Sequence, residues 1–214
     1  GDCREILLTL GKVDAVVSDP PYGMNWNTNS ARFSGGDRQS VVRRGQGRSD
    51  WGAVANDDKP FNPLPWLAFG ECILWGSNHF AARLPVGTSL VWVKRLDGAF
   101  GSFLSDAEVA WQKGGHGVYC FRYMSMMAEA KHREHPTQKP IGLMQWCIGR
   151  TKADTILDPY MGSGTTGVAC HRLGRKFIGI EIDPTHFATA CLRIEAAMRQ
   201  PDLFIPQATK PVQE

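Results

Sequence analysis

Short apolar runs along the chain are separated by segments in which apolar residues recur every three or four positions. Nearly all-apolar, β-branched runs are typical of buried strands, whereas periodic segments are typical of helices that pack on a sheet. Strands are expected at residues 13–18, 72–75, 88–94, 107–112, 118–123 (a strand or a hairpin arm) and 176–181, with another ending at Leu157. Helices are expected at residues 3–11, 66–69, 80–84, 140–151, 165–170 and 185–199. This alternation predicts an α/β domain with a mostly parallel sheet.

Composition is typical of one folded domain. Of the 214 residues, 43% are hydrophobic and 21% charged. The six cysteines form no C-x-x-C pair, which favours reduced thiols in the cytoplasm over a disulfide framework or a zinc knuckle. No apolar run approaches the roughly 20 residues of a membrane span, so no membrane segment is expected. The domain is predicted to span residues 1–200, followed by a loose, proline-rich tail at 201–214.

A change of composition predicts a long flexible loop at residues 27–59, rich in Gly, Ser, Asn, Asp and Arg. Its arginines are Arg32, Arg38, Arg43, Arg44 and Arg48. They are either solvated side chains or contacts to nucleic-acid phosphates. The net charge of +3 does not by itself indicate a nucleic-acid partner, so local charge of this kind would have to supply the contact.

A strand, a glycine turn and a helix start follow one another at residues 155–166 (T-I-L-D-P-Y-M-G-S-G-T-T). This arrangement brings backbone N–H groups against a ligand. Gly162 and Gly164 suit it, because a side chain at either position would block the ligand or forbid the turn. With Gly167 they satisfy G-x-G-x-x-G, and Glu181 follows at the distance expected for a carboxylate that binds ribose hydroxyls. The pattern predicts a nucleoside-like cofactor or, without a ligand, only a tight strand-to-helix turn.

A second strand end carries Asp19-Pro20-Pro21-Tyr22. Because ligands lie beyond the carboxyl ends of the strands in an open α/β sheet, both strand ends would open onto one crevice. The two prolines lack N–H donors and leave carbonyl groups unpaired beside a carboxylate and an aromatic ring. A planar ligand with an exocyclic amino group fits, since Asp19 and the Pro20 carbonyl accept its hydrogens and Tyr22 stacks on its face. An extruded nucleobase is such a ligand, whereas the simpler interpretation is a rigid turn capped by Asp19.

Together the two motifs resemble those of the DNA amino-methyltransferases that use S-adenosylmethionine. Further matching segments are Gly1-Asp2, residues 135–140 (H-P-T-Q-K-P) and residues 178–181 (I-G-I-E). The Asp-Pro-Pro-Tyr motif comes before the cofactor motif, which resembles the permuted beta group. The resemblance implies a Rossmann-like methyltransferase fold in circularly permuted motif order, with a doubly wound, mostly parallel sheet and an antiparallel edge strand. It also implies S-adenosylmethionine as cofactor, double-stranded DNA as partner, and no metal.

The resemblance further implies a role for each matching residue. The target base would be received by Asp19, Pro20, Pro21 and Tyr22. The cofactor would be held by Asp2, Thr137, Lys139, Asp158, Pro159, Tyr160, Gly162, Ser163, Gly164, Thr165, Thr166, Glu181 and Asp183. Within that set, Glu181 would bind the ribose hydroxyls and Asp2 the adenine amino group. Aspartate at position 19 is associated in the family mainly with adenine N6, and serine there with cytosine N4.

Target recognition in this group usually lies in the segment that corresponds to residues 113–135. Its shortness suggests a short DNA site, help from the arginine-bearing loop, or a second subunit, and members of this group often form homodimers. His132 and His135 are expected to belong to a solvated or DNA-facing connector rather than to a metal site, because no cysteine pair accompanies them.

The expected function is site-specific transfer of a methyl group from S-adenosylmethionine to N6 of adenine in DNA. The same motifs leave open an N4-cytosine methyltransferase or an enzyme that acts on RNA. An NAD-dependent dehydrogenase would explain the glycine turn but not the Asp-Pro-Pro-Tyr motif. A non-catalytic nucleic-acid-binding module would leave both intact motifs without a use.

Overall fold

The computed structural model describes residues 1–25, 54–101, 105–123 and 138–199. Several predictions concern residues outside these ranges, namely Arg32, Arg38, Arg43, Arg44, Arg48, His132, His135, Thr137 and the tail at 201–214. They stay predictions. Among the described residues, no helix is long and apolar enough to cross a membrane. In the same ranges, no three His, Cys, Asp or Glu side chains are grouped as a metal ion would require.

Six strands and five α-helices make up the described fold. The strands are β1 (Ala15–Ser18), β2 (Glu71–Trp75), β3 (Gly87–Val93), β4 (Ala107–Arg122), β5 (Thr155–Asp158) and β6 (Lys176–Gly179). The helices are α1 (Cys3–Ile6), α2 (Leu64–Leu67), α3 (Ile141–Gly149), α4 (Thr165–Arg172) and α5 (Pro184–Arg199). Short 3₁₀ turns cover Leu7–Thr9, Ser77–His79, Ala81–Arg83 and Asp97–Ala99. The predicted alternation of strands and helices is confirmed.

The strands form one mixed sheet in the order β3-β4-β2-β1-β5-β6. β1 pairs in parallel with β2 on one side and with β5 on the other, and β6 continues the parallel part beyond β5. Ala15 lies opposite Ile156 and Val16 opposite Leu157. β1 and β5 therefore end at the same edge of the sheet, and the residues that follow them are brought together.

The first arm of β4 is antiparallel to β2 and β3 and lies between them, whereas the antiparallel strand was expected at the edge of the sheet. Val93 of β3 lies opposite Ala107 in the first arm of β4 and opposite Arg122 in the second arm. β4 therefore reverses around β3, and the positive φ of Gly114 permits the reversal. Residues 113–122 of the expected recognition segment consequently belong to the sheet.

Apolar cores cover both faces of the sheet. Along β1, Ala15 and Val17 belong to one core, together with Leu143 of α3. Val16 belongs to the other core, together with Trp66 of α2, and all five residues are fully or almost fully buried. Alternate residues of a strand point to opposite faces, so a strand that is apolar at every position has to be covered on both sides. The doubly wound arrangement expected from the sequence is confirmed.

Candidate active site

A cavity of about 940 Å³ opens where the ends of β1 and β5 meet. The predicted site residues that line it are Asp2, Asp19, Pro20, Pro21, Tyr22, Lys139, Asp158, Pro159, Tyr160, Gly162, Ser163, Thr165, Thr166, Glu181 and Asp183. Gly164 is the one described member of the predicted set that does not line it. The two strand ends and the start of the chain thus converge on one space.

Two glycines shape the turn between β5 and α4. Gly162 and Gly164 have φ angles of 51° and 79°, in the region that favours glycine. A Cβ atom on Gly164 would lie 2.9 Å from Cβ of Ala190, so α5 can approach this closely only because the residue is glycine. A Cβ atom on Gly162 would meet no protein atom within 4 Å, and Gly162 lines the cavity. The first glycine leaves space for a ligand, whereas the second allows a helix to pack.

Asp158 ends β5 and is 3% exposed. Its Oδ1 accepts hydrogen bonds from the Ser18 hydroxyl at 2.5 Å and from the Tyr160 N–H at 3.1 Å. Its Oδ2 accepts a hydrogen bond from the Thr166 hydroxyl. Burial raises the pKa of Asp158 to about 6, although these donors act to lower it. The carboxylate therefore joins the ends of β1 and β5 to the first turn of α4.

Two charged side chains stabilise the glycine turn. Glu181 accepts hydrogen bonds from the N–H groups of Gly162 and Asp183, each at 2.9 Å. Arg193 on α5 donates to the Ser163 carbonyl and, at 2.8 Å, to the Ser163 hydroxyl. No motif marked Arg193, because it lies thirty residues beyond Ser163 and meets it only through the packing of α5.

Asp2 precedes α1 and caps it. Its carboxylate accepts a hydrogen bond from the Arg4 backbone N–H at 2.9 Å and pairs with the Arg4 guanidinium at 2.5 Å. The hydrogen bonds from Arg4 lower the pKa of Asp2 to about 2. The amino terminus of Gly1 donates to the Glu181 carbonyl at 2.7 Å, which places Asp2 beside the residues that follow β6.

Asp19 and Tyr22 follow β1 and bind each other. The Tyr22 hydroxyl donates a hydrogen bond to Oδ1 of Asp19, and the Lys139 ammonium donates one to Oδ2. The Tyr22 ring stacks on His79, with ring centroids 4.9 Å apart and planes 6° from parallel. One face of the ring that was expected to stack on a base is therefore covered by His79.

Lys139 lies between two carboxylates, and its side chain is 7% exposed. Its Nζ pairs with Asp19 and lies 3.0 Å from Oε2 of Glu108, while Lys94 binds Oε1 of Glu108 at 2.9 Å. Burial acts to lower the pKa of Lys139, but Asp19 and Glu108 raise it well above its ordinary value. Burial acts to raise the pKa of Glu108, but Lys139 and Lys94 lower it to about 2. The four side chains form a row of alternating charges.

Contacts from distant segments, which the sequence did not reveal, fix the chain around Tyr22. Gly76 has a φ of 70°, and a Cβ atom there would lie 1.9 Å from the Tyr22 ring. Asp57 is 5% exposed and accepts hydrogen bonds from the N–H groups of Gly23 at 2.9 Å and Met24 at 3.3 Å. The described end of the predicted arginine-bearing loop is thus packed against the residues that follow Tyr22.

The sequence matches known DNA methyltransferases. A family model described as DNA methylase (N6_N4_Mtase) matches residues 87–191. The Type II methyltransferase M2.DpnII of Streptococcus pneumoniae is 49% identical over 65 residues, which are 29% of this chain and 24% of that protein. The Type II methyltransferase M2.MboI of Moraxella bovis is 34% identical over 113 residues, which are 52% of this chain and 36% of that protein. These matches support the resemblance to DNA amino-methyltransferases that use S-adenosylmethionine.

A solved structure shares the fold of this chain. The crystal structure of the M1.HpyAVI-SAM complex aligns with a TM-score of 0.55 and 26% sequence identity, and covers 90% of this chain and 96% of that chain. The resemblance stated from the two motifs and the α/β methyltransferase fold are both confirmed. The chain spans 24% and 36% of the length of the two curated relatives.

Proposed function

We propose that this protein is a site-specific DNA methyltransferase that transfers a methyl group from S-adenosylmethionine to N6 of adenine. The target base is flipped out of the duplex into the pocket formed by Asp19, Pro20, Pro21 and Tyr22. One observation carries the proposal: this pocket and the glycine turn after β5 open into the same cavity. A methyl donor on one side and a base amino group on the other can meet there.

The cofactor side of the cavity fits S-adenosylmethionine. The open space beside Gly162 is a recess that a Cβ atom would partly fill, and the first turn of α4 presents backbone N–H groups suited to a carboxylate. When bound, the cofactor supplies an activated methyl group on a sulfonium. The match to the DNA methylase family model and the M1.HpyAVI-SAM complex support this cofactor.

Within that recess, each cofactor contact is a proposal taken from the resemblance. Asp158, Tyr160, Gly162, Ser163 and Thr165 are proposed to line the methionine part, with Pro159 and Thr166 beside them and Gly164 shaping the turn from behind. Glu181 is proposed to bind the ribose hydroxyls and Asp2 the adenine amino group, and Asp183 and Thr137 complete the set. N–H donors already orient Glu181, and Arg4 already orients Asp2. The two side chains therefore lose little conformational entropy when a ligand binds.

On the other side of the cavity, Asp19 acts on the amino group. An exocyclic amine conjugated to its ring is a weak nucleophile. Hydrogen bonds to Asp19 and to the Pro20 carbonyl draw the nitrogen lone pair out of the ring plane. Positive charge develops on nitrogen during in-line transfer, and the Asp19 carboxylate stabilises it. The Tyr22 hydroxyl, bound to Oδ1, orients that carboxylate.

Adenine is proposed because residue 19 is aspartate, whereas the family model covers N6 and N4 enzymes alike. N4 of cytosine carries the same conjugated amine, so the same acceptors would serve it, and cytosine is the second candidate. Double-stranded DNA is the proposed partner. Its phosphates are proposed to be contacted by Arg32, Arg38, Arg43, Arg44 and Arg48. The homodimer and the recognition role of residues 113–135 stay predictions.

The test is methyl transfer from labelled S-adenosylmethionine to unmethylated duplex DNA, followed by mass analysis of the nucleosides. Asp19→Ala is measured beside the unchanged chain. Asp154→Ala is the matched control, because Asp154 is an exposed aspartate paired with Lys176 outside the cavity. We expect N6-methyladenine from the unchanged chain and from Asp154→Ala, and none from Asp19→Ala.

Each other outcome corrects a separate part of the proposal. N4-methylcytosine would keep the mechanism and overturn the choice of base. Product on RNA but not on DNA would overturn the partner. Full activity of Asp19→Ala would remove Asp19 from the reaction, and bound cofactor without any product would contradict the proposed activity.

A further inference from the structure

We propose that Lys139 is a positioning residue for methyl transfer, which keeps Asp19 ionised and oriented toward the target amino group. Glu108 weakens the effect of Lys139 on Asp19, because it pairs with the same ammonium. The inference rests on the function proposed above and deepens it. The resemblance assigns Lys139 to the cofactor, but its contacts lie on the opposite side of the cavity, at the carboxylate that receives the base.

The geometry fixes both ends of the Asp19 carboxylate. Tyr22 donates to Oδ1 and Lys139 to Oδ2, so the plane of the carboxylate cannot turn freely. Lys139 is itself confined, because its Nζ lies 3.0 Å from Oε2 of Glu108 and 5.9 Å from the centre of the buried Trp75 ring. Each carboxylate oxygen has a second lone pair, so Asp19 can still accept hydrogen bonds from a base.

The charge on Asp19 depends on groups from several elements. The described titratable side chains that contact this pair or act on it through charge or stacking are Tyr22, His79, Lys94, Glu108, Cys147 and Asp158. Lys94 is a second cation, but it binds Glu108 rather than Asp19. Lys139 is therefore the cation in direct contact with Asp19 within the described part of the chain.

Lys139 and Glu108 have opposite effects on the pKa of Asp19. Burial raises the pKa of Asp19, the Lys139 ammonium opposes the rise, and the Glu108 carboxylate adds to it. A protonated Asp19 would lose the charge that stabilises the developing cation on the base. An ammonium paired with Asp19 alone would instead cancel that charge. Lys139 keeps Asp19 ionised, and because Glu108 shares the ammonium, the negative charge of Asp19 is not cancelled and still faces the cavity.

Removing Lys139 and removing Glu108 should shift the pKa of Asp19 in opposite directions, and two variants test this. Lys139→Met removes the charge and keeps an unbranched apolar chain, whereas Glu108→Gln removes the competing carboxylate and keeps its size. Lys176→Met is the control, because Lys176 is an exposed lysine paired with Asp154 outside the cavity. The measurements are the pH profile of kcat, the cofactor Kd, and the infrared carboxyl band of the cofactor-free protein that disappears in Asp19→Asn.

For Lys139→Met we expect kcat at neutral pH to fall about 100-fold, the size typical of losing one preorganised electrostatic group. The acid limb of its pH profile moves to higher pH, and so does the infrared titration of Asp19. Glu108→Gln moves both to lower pH. The cofactor Kd changes by less than about twofold in either variant, and Lys176→Met leaves every value unchanged.

The proposal is overturned if both variants leave the infrared titration in place or move it in the same direction. A large rise in cofactor Kd for Lys139→Met, with an unmoved acid limb, would return Lys139 to the cofactor site. If Lys139→Met does not fold, the downward shift expected for Glu108→Gln still decides. If the wild-type protein methylates no nucleic acid, the proposed function is contradicted. The infrared titration of Asp19 would still test the role of Lys139.

Discussion

Two aspartates lie at the same edge of the sheet, and their surroundings differ: Asp19 follows β1, and Asp158 is the last residue of β5. The Asp158 side chain is bound by two hydroxyls and a backbone N–H and is almost fully enclosed. The Asp19 side chain is 20% exposed, lines the cavity, and is bound by a hydroxyl and an ammonium. Neutral donors surround the Asp158 carboxylate in the interior. A cation, Lys139, stabilises the charge of the Asp19 carboxylate at a surface that a ligand can reach.

This difference suggests a division of labour between the two strand ends. Removing Asp158 leaves three donors without an acceptor in the interior, so its loss should appear as instability. Removing Asp19 leaves Lys139 with Glu108 as a partner, so the fold should tolerate the change better than the chemistry does. Variants at the two positions can therefore separate architecture from reaction.

The largest effect is expected for Asp19→Asn. The amide keeps the shape of the side chain but loses the charge that stabilises positive nitrogen, so kcat should fall by about 100-fold to 1,000-fold. The cofactor Kd should stay within about twofold, because Asp19 lies on the proposed base side of the cavity. Single-turnover methyl transfer and cofactor titration measure the two quantities. A loss of cofactor affinity equal to the loss of kcat would contradict the division of labour.

Asp158→Ala should destabilise the protein by about 3 kcal/mol, because unpaired buried donors cost roughly 1–3 kcal/mol each and water can reach some of them. Urea unfolding of the unchanged chain and the variant gives this difference directly. Asp154→Ala, at an exposed position, should change stability little. Equal stability of Asp158→Ala and the unchanged chain would show that the three donors find other partners.

The pH dependence of stability sharpens the same point. The pKa of Asp158 is raised from 3.8 to about 6, so the folded state binds the proton more tightly than the unfolded state does. The stability that this proton contributes is present below about pH 4 and is lost as the pH rises to about 6, a change of about 3 kcal/mol. Urea unfolding of the unchanged chain and of Asp158→Asn, at pH 4 and at pH 7, measures it. Parallel changes in the two proteins would show that other groups titrate in this window.

The two strand ends also differ in how much of them the sequence predicts. The apolar run of β1, the two prolines and the glycine spacing are local patterns, and they predicted the strands, the turn and the shared crevice. The pairing of Lys139 with Asp19 joins residues 120 positions apart and depends on which strands are neighbours. A glycine-rich stretch and the expected strand or hairpin arm at residues 118–123 were consistent with a reversal of β4, but they did not show that it reverses around β3. Long-range contacts of this kind are set by packing and register, which periodicity does not encode.

Two glycines offer a smaller test: Gly76 follows β2 and lies against Tyr22, and Gly162 follows β5. Gly76→Ala would place a methyl group 1.9 Å from the Tyr22 ring, so Tyr22 has to move away from Asp19 and His79. We expect kcat to fall by about tenfold with an unchanged cofactor Kd, as for partial loss of a positioning contact.

In Gly162→Ala the added methyl group meets no protein atom, but residue 162 has a φ of 51° and lies on the proposed cofactor side of the cavity. The substitution should raise the cofactor Kd by about fivefold. If Gly76→Ala instead weakened cofactor binding and Gly162→Ala lowered only kcat, the assignment of the two sides of the cavity would have to be exchanged.

The smallest effect is expected for Arg193→Met, which removes the donor to Ser163 and keeps the aliphatic part of the side chain. The hydrogen bonds from Arg193 hold the glycine turn to α5, so their loss should loosen the recess beside Gly162. A loss of about 1 kcal/mol corresponds to a cofactor Kd about fivefold higher, which calorimetric titration can resolve. Arg199→Met is the matched control, since Arg199 lies on the same helix and pairs with Glu195 at an exposed position. If the two variants bind cofactor equally well, the turn keeps its shape through its glycines and Glu181 alone, and α5 contributes only the close packing against Gly164.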